Sequence, residues 1–199
     1  MKLPELVQTI LEKEKEHPYV IAFEGMISSG KSYEARKLKD QLEGKIILIT
    51  TDLFISVPRS EWTERIENDD IDLTTWYDLK KIKQALASIK RKENFTITGL
   101  YNLSNGQFDD ELGVDASDCD YLILEGLLSC HEEFDGLIDL RVFLNVPREV
   151  ALRRAHERDD TVRHLDHQGW LQKKDIFYDH YVPYLESHKN RAHIILEPD

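Results

Sequence analysis

GMISSGKS, residues 25–32, has the spacing GxxxxGK[ST] and closely follows an apolar run over residues 19–23. Glycines at the two ends of such a loop let the backbone approach a ligand, and successive amides then point at phosphate oxygens. In this spacing Lys31 reaches the outer phosphates and Ser32 offers a hydroxyl to Mg²⁺. We therefore predict that the phosphates of ATP or GTP bind at the following residues: Gly25, Met26, Ile27, Ser28, Ser29, Gly30, Lys31, Ser32 and Tyr33. Taken alone, the same stretch also fits an ordinary Gly-Ser turn.

The segments around this loop have the order strand, loop, helix. The apolar run before the loop predicts a buried strand, and we expect a helix from about residue 30 to residue 42. This order places the N-terminus of a helix against the bound phosphates. Four further apolar runs have the composition of buried strands: 45–49, 121–124, 140–144 and 193–196. Because helical segments alternate with these strands, we predict an α/β fold with a parallel sheet covered on both faces.

The remaining segments predict two helices, an insert and a turn. Apolar residues at helical spacing predict an amphipathic helix over residues 4–16 and another helix over 79–92. Residues 53–78 are polar and aromatic, which is typical of structure that covers a substrate. An antiparallel piece at 95–98 precedes a turn at 104–106, which is marked by an Asn-Gly pair.

The composition fits one globular domain and argues against several kinds of partner. The chain has 199 residues, 41% of them hydrophobic, and a formal net charge of -12. So negative a chain repels a nucleic-acid backbone or an anionic membrane surface, and we expect neither polymeric nucleic acid nor a membrane as partner. Two cysteines without a CxxC pair suggest reduced thiols and no zinc site. The first residues do not resemble a signal peptide, so we expect a cytoplasmic protein.

Two acidic residues follow predicted strands and are candidates for the chemistry beside the phosphates. Glu125 comes directly after the run 121–124, a position from which a carboxylate holds Mg²⁺ through water. Asp52 ends the second strand, and the carboxyl ends of neighbouring strands in a doubly wound sheet meet at one crevice. There Asp52 would accept the proton of an attacking hydroxyl. Each also has a structural alternative, Glu125 as a cap of the next loop and Asp52 as a helix N-cap.

With these features the chain resembles the uridine kinase and phosphoribulokinase family of P-loop kinases, over nearly its whole length after Pro18. Besides the phosphate loop, the resemblance rests on ITTDLF (49–54), DLTTWYD (72–78), DYLILEGL (120–127), the strand and arginine-bearing helix at 140–159, and AHIIL (192–196). It implies a three-layer P-loop fold with a five-stranded parallel sheet in one domain. The parts implied beyond that sheet are a substrate-covering insert at 53–78 and 95–110 and a lid at 158–170.

The resemblance also implies roles for single residues at the acceptor side. Asp52 matches the catalytic base of the family. Asp72 and Tyr101 match residues of the acceptor pocket, with Glu125 beside them as the residue that also positions the metal.

Cations are implied on the other side of the transferred phosphate. Arg154 and Arg158 match the arginines near the lid, where cations stabilise the moving phosphoryl group together with Lys31. Solvated arginines on a helix face are the alternative. Arg163 and the two histidines His164 and His167 fall in the lid without individual roles.

The leading hypothesis is therefore a kinase that transfers a phosphate from ATP to a hydroxyl of a small molecule, first of all a nucleoside such as uridine or cytidine. The chain departs from uridine kinases at Ile55 and Thr74, and residues 101–106 lack the histidine expected to contact uracil. Pantothenate, a sugar phosphate or a similar alcohol is thus an alternative acceptor. Arg59 and Arg65 are available to an anionic one.

Two hypotheses of other kinds stay open. The chain could be a nucleotide-binding switch, although a guanine-reading NKxD motif is absent from the sequence. It could also be a kinase-like protein that binds ATP without turnover. The choice between ATP and GTP and the existence of a homo-oligomer are likewise left open.

Overall fold

A five-stranded parallel sheet lies at the centre of the protein. The structure, a computed structural model, describes residues 1–12, 18–68, 70, 72–161 and 179–198. Its strands are β1 Tyr19–Gly25, β2 Lys45–Thr50, β3 Phe95–Leu100, β4 Asp110–Val114, β5 Cys119–Glu125, β6 Leu140–Leu144 and β7 Ile194–Leu196. The sheet has the order β2-β5-β1-β6-β7 with all neighbours parallel, while β3 and β4 form a separate antiparallel pair. The predicted α/β fold with a five-stranded parallel sheet is confirmed.

Helices cover both faces of this sheet. They are α1 Leu3–Glu12, α2 Lys31–Gln41, α3 Trp62–Glu67, α4 Leu73–Trp76, α5 Leu79–Lys90, α6 Arg148–Thr161 and α7 Asp179–Arg191. Along β1, Ile21 and Phe23 pack with α1 and α2, whereas Val20 and Ala22 pack with α5. Alternate residues of a strand point to opposite faces, so β1 is apolar throughout because both faces are covered. The result is three layers.

The register of the parallel strands brings the carboxyl ends of β1, β2 and β5 to one edge of the sheet. Phe23 of β1 and Thr50 of β2 both pair with Glu125 of β5, and Gly25 pairs with Leu144 of β6. In a parallel sheet, the ends of neighbouring strands and the loops that follow them lie side by side. The phosphate loop and the two candidate acidic residues therefore leave the sheet at the same edge.

The structure adds detail where the sequence pattern is weak. Strand β4 was not predicted, because Asp110, Glu111 and Gly113 have low strand propensity and its apolar residues are few. The insert over residues 53–78 contains α3, α4 and short 3₁₀ turns, and is less irregular than predicted.

Two predicted segments lie partly outside the described residues. The described part of the N-terminal helix ends at Glu12, and residues 13–17 are not described. Arg158 lies within α6, while Arg163, His164 and His167 of the predicted lid lie outside the described residues. Among the helices that are described, no span is long and apolar enough to cross a membrane. The division into one domain with an insert and a lid stays a prediction.

Candidate active site

The loop predicted to bind phosphate connects β1 to α2. Gly25 has a φ of +152°, and a Cβ atom there would lie 2.8 Å from the carbonyl oxygen of Leu144. Gly30 precedes α2 in the left-handed region, with a φ of +99°. Because other residues adopt these conformations only at a cost, the two glycines set the course of the loop. The loop ends at the N-terminus of α2, where helix amides favour an anion.

Lys31 is the first residue of α2 and is buried inside the loop. Its Nζ donates to the carbonyl oxygen of Gly25 at 3.0 Å and to that of Met26 at 2.9 Å. Burial lowers the pKa of Lys31, and the nearby charges of Glu125 and Asp52 oppose this shift. The ammonium group is thus held within the loop, close to both candidate carboxylates.

The serines of the loop test whether a phosphate fits. The side-chain oxygens of Ser28 and Ser29 are buried and have no hydrogen-bond partner in the described part of the chain. A buried hydroxyl without a partner costs about 1–3 kcal/mol, so two on one loop suit a ligand that supplies acceptors. Phosphate oxygens are such acceptors. Met26 is buried and Ile27 packs against the same apolar cluster, which leaves their backbone to serve the site.

Ser32 and Glu125 lie together, as a magnesium site would require. Ser32 Oγ donates to Glu125 Oε2 at 3.0 Å, across 93 positions of sequence. This bond joins α2 to the end of β5, and the role of Glu125 beside the metal stays a prediction. Burial raises the pKa of Glu125, and the charge of Asp52 adds to the rise while Lys31 opposes it.

The donor set at this point fits Mg²⁺. No group of three or more His, Cys, Asp or Glu side chains among the described residues could hold a metal ion by itself. Mg²⁺ keeps several waters and is bound through one or two protein oxygens together with substrate phosphates. The Ser32 hydroxyl and the Glu125 carboxylate are hard oxygen donors of that kind, and they lie beside the phosphate loop.

Asp52 lies in the 3₁₀ turn Thr51–Phe54, directly after β2. The cap of that turn is Thr50, whose Oγ1 accepts from the Asp52 amide at 3.3 Å, so the N-cap alternative for Asp52 is wrong. The hydroxyl of Tyr77 lies 3.4 Å from Asp52 Oδ1. Burial and then the charge of Asp52 raise the pKa of Tyr77 well above its usual value, so the phenol keeps its proton and acts as a donor.

Known proteins match this chain over nearly its whole length. The sequence model of the phosphoribulokinase / uridine kinase family matches residues 20–198. The chain belongs to this family. It is 24% identical over 172 residues to uridine-cytidine kinase B of Dictyostelium discoideum, which covers 83% of this chain and 70% of that protein. It is 25% identical over 198 residues to pantothenate kinase of Vibrio cholerae, which covers 92% of this chain and 62% of that protein.

A solved structure has the same fold. A candidate fructose transport system kinase from Silicibacter sp. TM1040 superposes with a TM-score of 0.77 at 19% identity and covers 98% of each chain. Likeness at that identity shows the fold alone. Together, the family and its kinase relatives support a P-loop phosphotransferase that uses an alcohol acceptor.

Helix α6 directs arginines toward the phosphate loop of this family member. Arg154 Nη1 donates to the carbonyl oxygen of Ser29 at 3.3 Å. Arg158 lies close enough that its charge adds to the effect of burial in lowering the pKa of Lys31. Arg154 is exposed on α6, so the alternative of a solvated arginine on a helix face stays open. The catalytic roles of both arginines stay predictions.

A cleft of about 250 Å³ opens beside the loop. It is lined by Ser29, Gly30, Tyr33, Glu34, Arg154 and Pro198. The ring of Tyr33 is 59% exposed, and the ammonium of Lys37 lies 4.4 Å from its centroid. Tyr33 thus lies beside the phosphate loop, and its part in nucleotide binding stays a prediction.

Asp72, expected in the acceptor pocket, caps the short helix α4. Its Oδ1 accepts from the amide of Thr74 at 2.9 Å, from the Thr74 hydroxyl at 2.7 Å and from the hydroxyl of Tyr184 at 2.9 Å. The Thr74 hydroxyl bond is the largest cause that lowers the pKa of Asp72. Threonine in place of the family's proline therefore adds an amide and a hydroxyl donor to this carboxylate.

Tyr101, also expected in the acceptor pocket, is buried, and its role in that pocket stays a prediction. Its side chain is only 1% exposed, and its ring stacks on Trp62 with centroids 6.1 Å apart and planes 13° apart. Its hydroxyl accepts from Arg59 Nε at 3.2 Å, and its amide donates to the carbonyl oxygen of Leu53. Tyr101 thus packs next to the Asp52 turn through its backbone, while its hydroxyl is engaged by Arg59.

Glu24 was missed by the sequence reasoning, although it lies directly before the phosphate loop. The carboxylate is fully buried and accepts from the amides of Leu128 at 3.1 Å and Cys130 at 2.6 Å. The hydroxyl of Tyr181 also donates to it, and His188 Nδ1 lies 2.7 Å from its Oε1. Burial acts to raise the pKa of Glu24, but His188, Tyr181 and Cys130 outweigh it and lower that pKa. Glu24 therefore ties β1 to α7 and to the loop after β5.

Proposed function

We propose that this protein transfers the γ-phosphate of ATP to a hydroxyl of a small acceptor, with a nucleoside such as uridine or cytidine as the first candidate. The observation that carries the proposal is the position of Asp52, which follows β2 at the edge of the sheet where the phosphate loop begins. Its charge acts on the pKa of both Lys31 and Glu125, so the carboxylate lies beside the phosphate site. A carboxylate there serves the one proton transfer that phosphorylation of an alcohol needs.

The residues divide the reaction between them. Loop amides and Lys31 bind the β- and γ-phosphates, and bound Mg²⁺, held at Ser32 and Glu125, would neutralise charge on them. Asp52 accepts the proton of the acceptor hydroxyl while the oxygen of that hydroxyl bonds to the γ-phosphorus. The bond from that phosphorus to the β-γ bridging oxygen breaks, and ADP leaves. Arg154 and Arg158 stabilise the charge on the transferred group.

The proposal is tested by ADP formation with ATP, Mg²⁺ and single acceptors: uridine, cytidine, pantothenate and ribulose 5-phosphate. A kinase forms ADP only when an acceptor is present and yields the phosphorylated alcohol in equal amount. Hydrolysis at the same rate without an acceptor would point to a nucleotide switch, and binding of ATP without any turnover would point to a protein that has lost the reaction.

An anionic acceptor is a second candidate, and one observation favours it. Arg59 Nε and Nη2 donate to Tyr101 Oη and to the carbonyl oxygen of Leu103, at 3.2 and 2.9 Å. Among the described residues no carboxylate pairs with Arg59, whereas Arg65 of the same insert pairs with Glu61 at 3.3 Å and Asp70 at 3.1 Å. A guanidinium held in place by neutral oxygens keeps its full charge for a carboxylate or phosphate of the acceptor.

Replacement of Arg59 separates the two acceptor classes. If the acceptor is anionic, Arg59→Ala should raise its KM by about 10–100-fold, since a charged hydrogen bond contributes about 1.5–3 kcal/mol. The measurement compares pantothenate with its neutral alcohol, pantothenol, and Arg65→Ala is the matched control. An equal effect of Arg59→Ala on both compounds, or an equal effect of both variants, would contradict recognition of the anion by Arg59.

A further inference from the structure

The Asp72 carboxylate depends on a donor from a distant part of the chain. Two of its three described donors come from Thr74, two residues along, in the turn that Asp72 itself caps. The third is the hydroxyl of Tyr184, 112 positions away on α7, at 2.9 Å. Helix α4 has only four residues, and Asp72 is exposed at its start. The Thr74 bonds fix Asp72 to its own short helix, but Tyr184 alone among these donors fixes it to the main body.

Helix α7 is itself fastened firmly on the side that carries Tyr184. Tyr181, Tyr184 and His188 are spaced at i, i+3 and i+7, and therefore lie along one helix face. Tyr181 and His188 are buried and both contact the Glu24 carboxylate, next to the phosphate loop. The rings of Tyr181 and Tyr184 lie 6.4 Å apart at 21°, and Leu185 packs into the same apolar cluster as Met26. The Tyr184 hydroxyl is thus presented from a helix anchored to the β1 strand.

We propose that Tyr184 is a positioning residue, which holds the Asp72 carboxylate at the orientation that binds the acceptor hydroxyls. The inference rests on the proposed function, because it takes Asp72 to be a residue of the acceptor pocket. Because Glu24 holds α7 in place, its contacts also affect the position of Asp72 through Tyr184. One helix face connects the strand that begins the phosphate loop to the residue that receives the acceptor, so donor and acceptor sides are held in one frame.

The hydrogen bond from Tyr184 lowers the pKa of Asp72, which predicts the direction of a change in pH dependence. The Thr74 hydroxyl contributes most to the low pKa of Asp72, and Tyr184 and the charge of His131 contribute in the same direction. Removal of the Tyr184 hydroxyl therefore raises that pKa. If ionised Asp72 accepts a hydrogen bond from the acceptor, the acidic limb of kcat/KM for the acceptor moves to higher pH in Tyr184→Phe.

The experiment compares Tyr184→Phe with Tyr181→Phe, which removes the same hydroxyl from the same helix, but from Glu24 instead of Asp72. Acceptor KM, ATP KM, kcat and the pH profile are measured with uridine, or with whichever of cytidine, pantothenate and ribulose 5-phosphate the wild type phosphorylates. Tyr184→Phe should raise the acceptor KM about 5–10-fold, leave the ATP KM unchanged and shift the acidic limb upward. Tyr181→Phe should lower stability without the shift, and exposed Glu186→Gln replaces it as the α7 control if it does not fold.

The outcomes separate this inference from the proposed function. An unchanged acceptor KM and acidic limb in Tyr184→Phe, with normal wild-type turnover, would overturn the positioning role alone. Equal shifts of the limb in both tyrosine variants would also overturn it, because they would indicate a general loosening of α7. Absence of acceptor-dependent turnover in the wild type would overturn the proposed function and this inference with it.

Discussion

Asp52→Asn should reduce acceptor-dependent phosphate transfer by about 10²–10⁴-fold, the contribution usual for a general base. Asparagine has nearly the same shape as aspartate. Its side-chain oxygen can still accept a hydrogen bond from the Tyr77 hydroxyl, which lies 3.4 Å from Asp52 Oδ1. It cannot take the proton of the acceptor. The variant therefore removes the proton transfer while leaving the end of β2 in place.

Nucleotide binding by the same variant should be nearly unchanged or slightly tighter. Asp52 is a negative charge near Lys31, and its loss removes repulsion toward the phosphates of ATP. The measurement pairs single-turnover transfer with calorimetric binding of a non-hydrolysable ATP analogue. Asp40→Asn, an exposed site on α2, is the matched control and should behave as the wild type. An active Asp52→Asn enzyme would remove Asp52 from the role of base.

The sequence predicted those parts of the site that produce a recognisable pattern over a few neighbouring residues. The loop over residues 25–32 has a fixed spacing, and each apolar run that precedes Asp52 or Glu125 is short, β-rich and bounded by polar residues. Such patterns involve only residues that are neighbours along the chain, so they can be recognised without knowledge of the fold. The parallel sheet then brings both acidic residues to the loop, because the ends of its strands share one edge.

The contacts that the sequence did not predict join positions far apart in the chain. Glu24 meets His188 across 164 positions, and no local pattern marks either as a partner of the other. Tyr77 reaches Asp52 across 25 positions, from a segment that the resemblance matched only as a motif. The role of Tyr101 in the acceptor pocket stays a prediction, but the burial of its ring could not be predicted, because it depends on packing with Trp62 and Arg59.

Glu24→Ala should destabilise the protein by about 3–5 kcal/mol, because several buried donors lose their acceptor and each unsatisfied one costs about 1–3 kcal/mol. The carboxylate is inaccessible to solvent and satisfies two amides, a tyrosine hydroxyl and a histidine nitrogen. Alanine would leave all four groups buried without an acceptor. A loss of this size is a large part of the 5–15 kcal/mol that holds a typical domain folded.

The pH dependence of that stabilisation follows from the sign of the pKa shift. The pKa of Glu24 is lowered by folding from a usual value of 4.5, so its contribution is fully present above that value. It is lost as the pH falls through the lower pKa of the folded state. Urea unfolding of wild type and Glu24→Ala at several pH values should therefore give a constant difference near neutrality that shrinks in acid.

Exposed Glu186→Ala on α7 is the control for Glu24→Ala, and its unfolding free energy should stay within about 0.5 kcal/mol of the wild type. If Glu24→Ala were equally mild, the carboxylate would not be the group that fastens α7 to β1. A large loss of unfolding free energy in Glu24→Ala would instead show that the group that stabilises the fold also supports the site. The same carboxylate precedes Gly25 of the phosphate loop and holds the helix that carries Tyr184, so surviving folded Glu24→Ala protein should also bind both substrates more weakly.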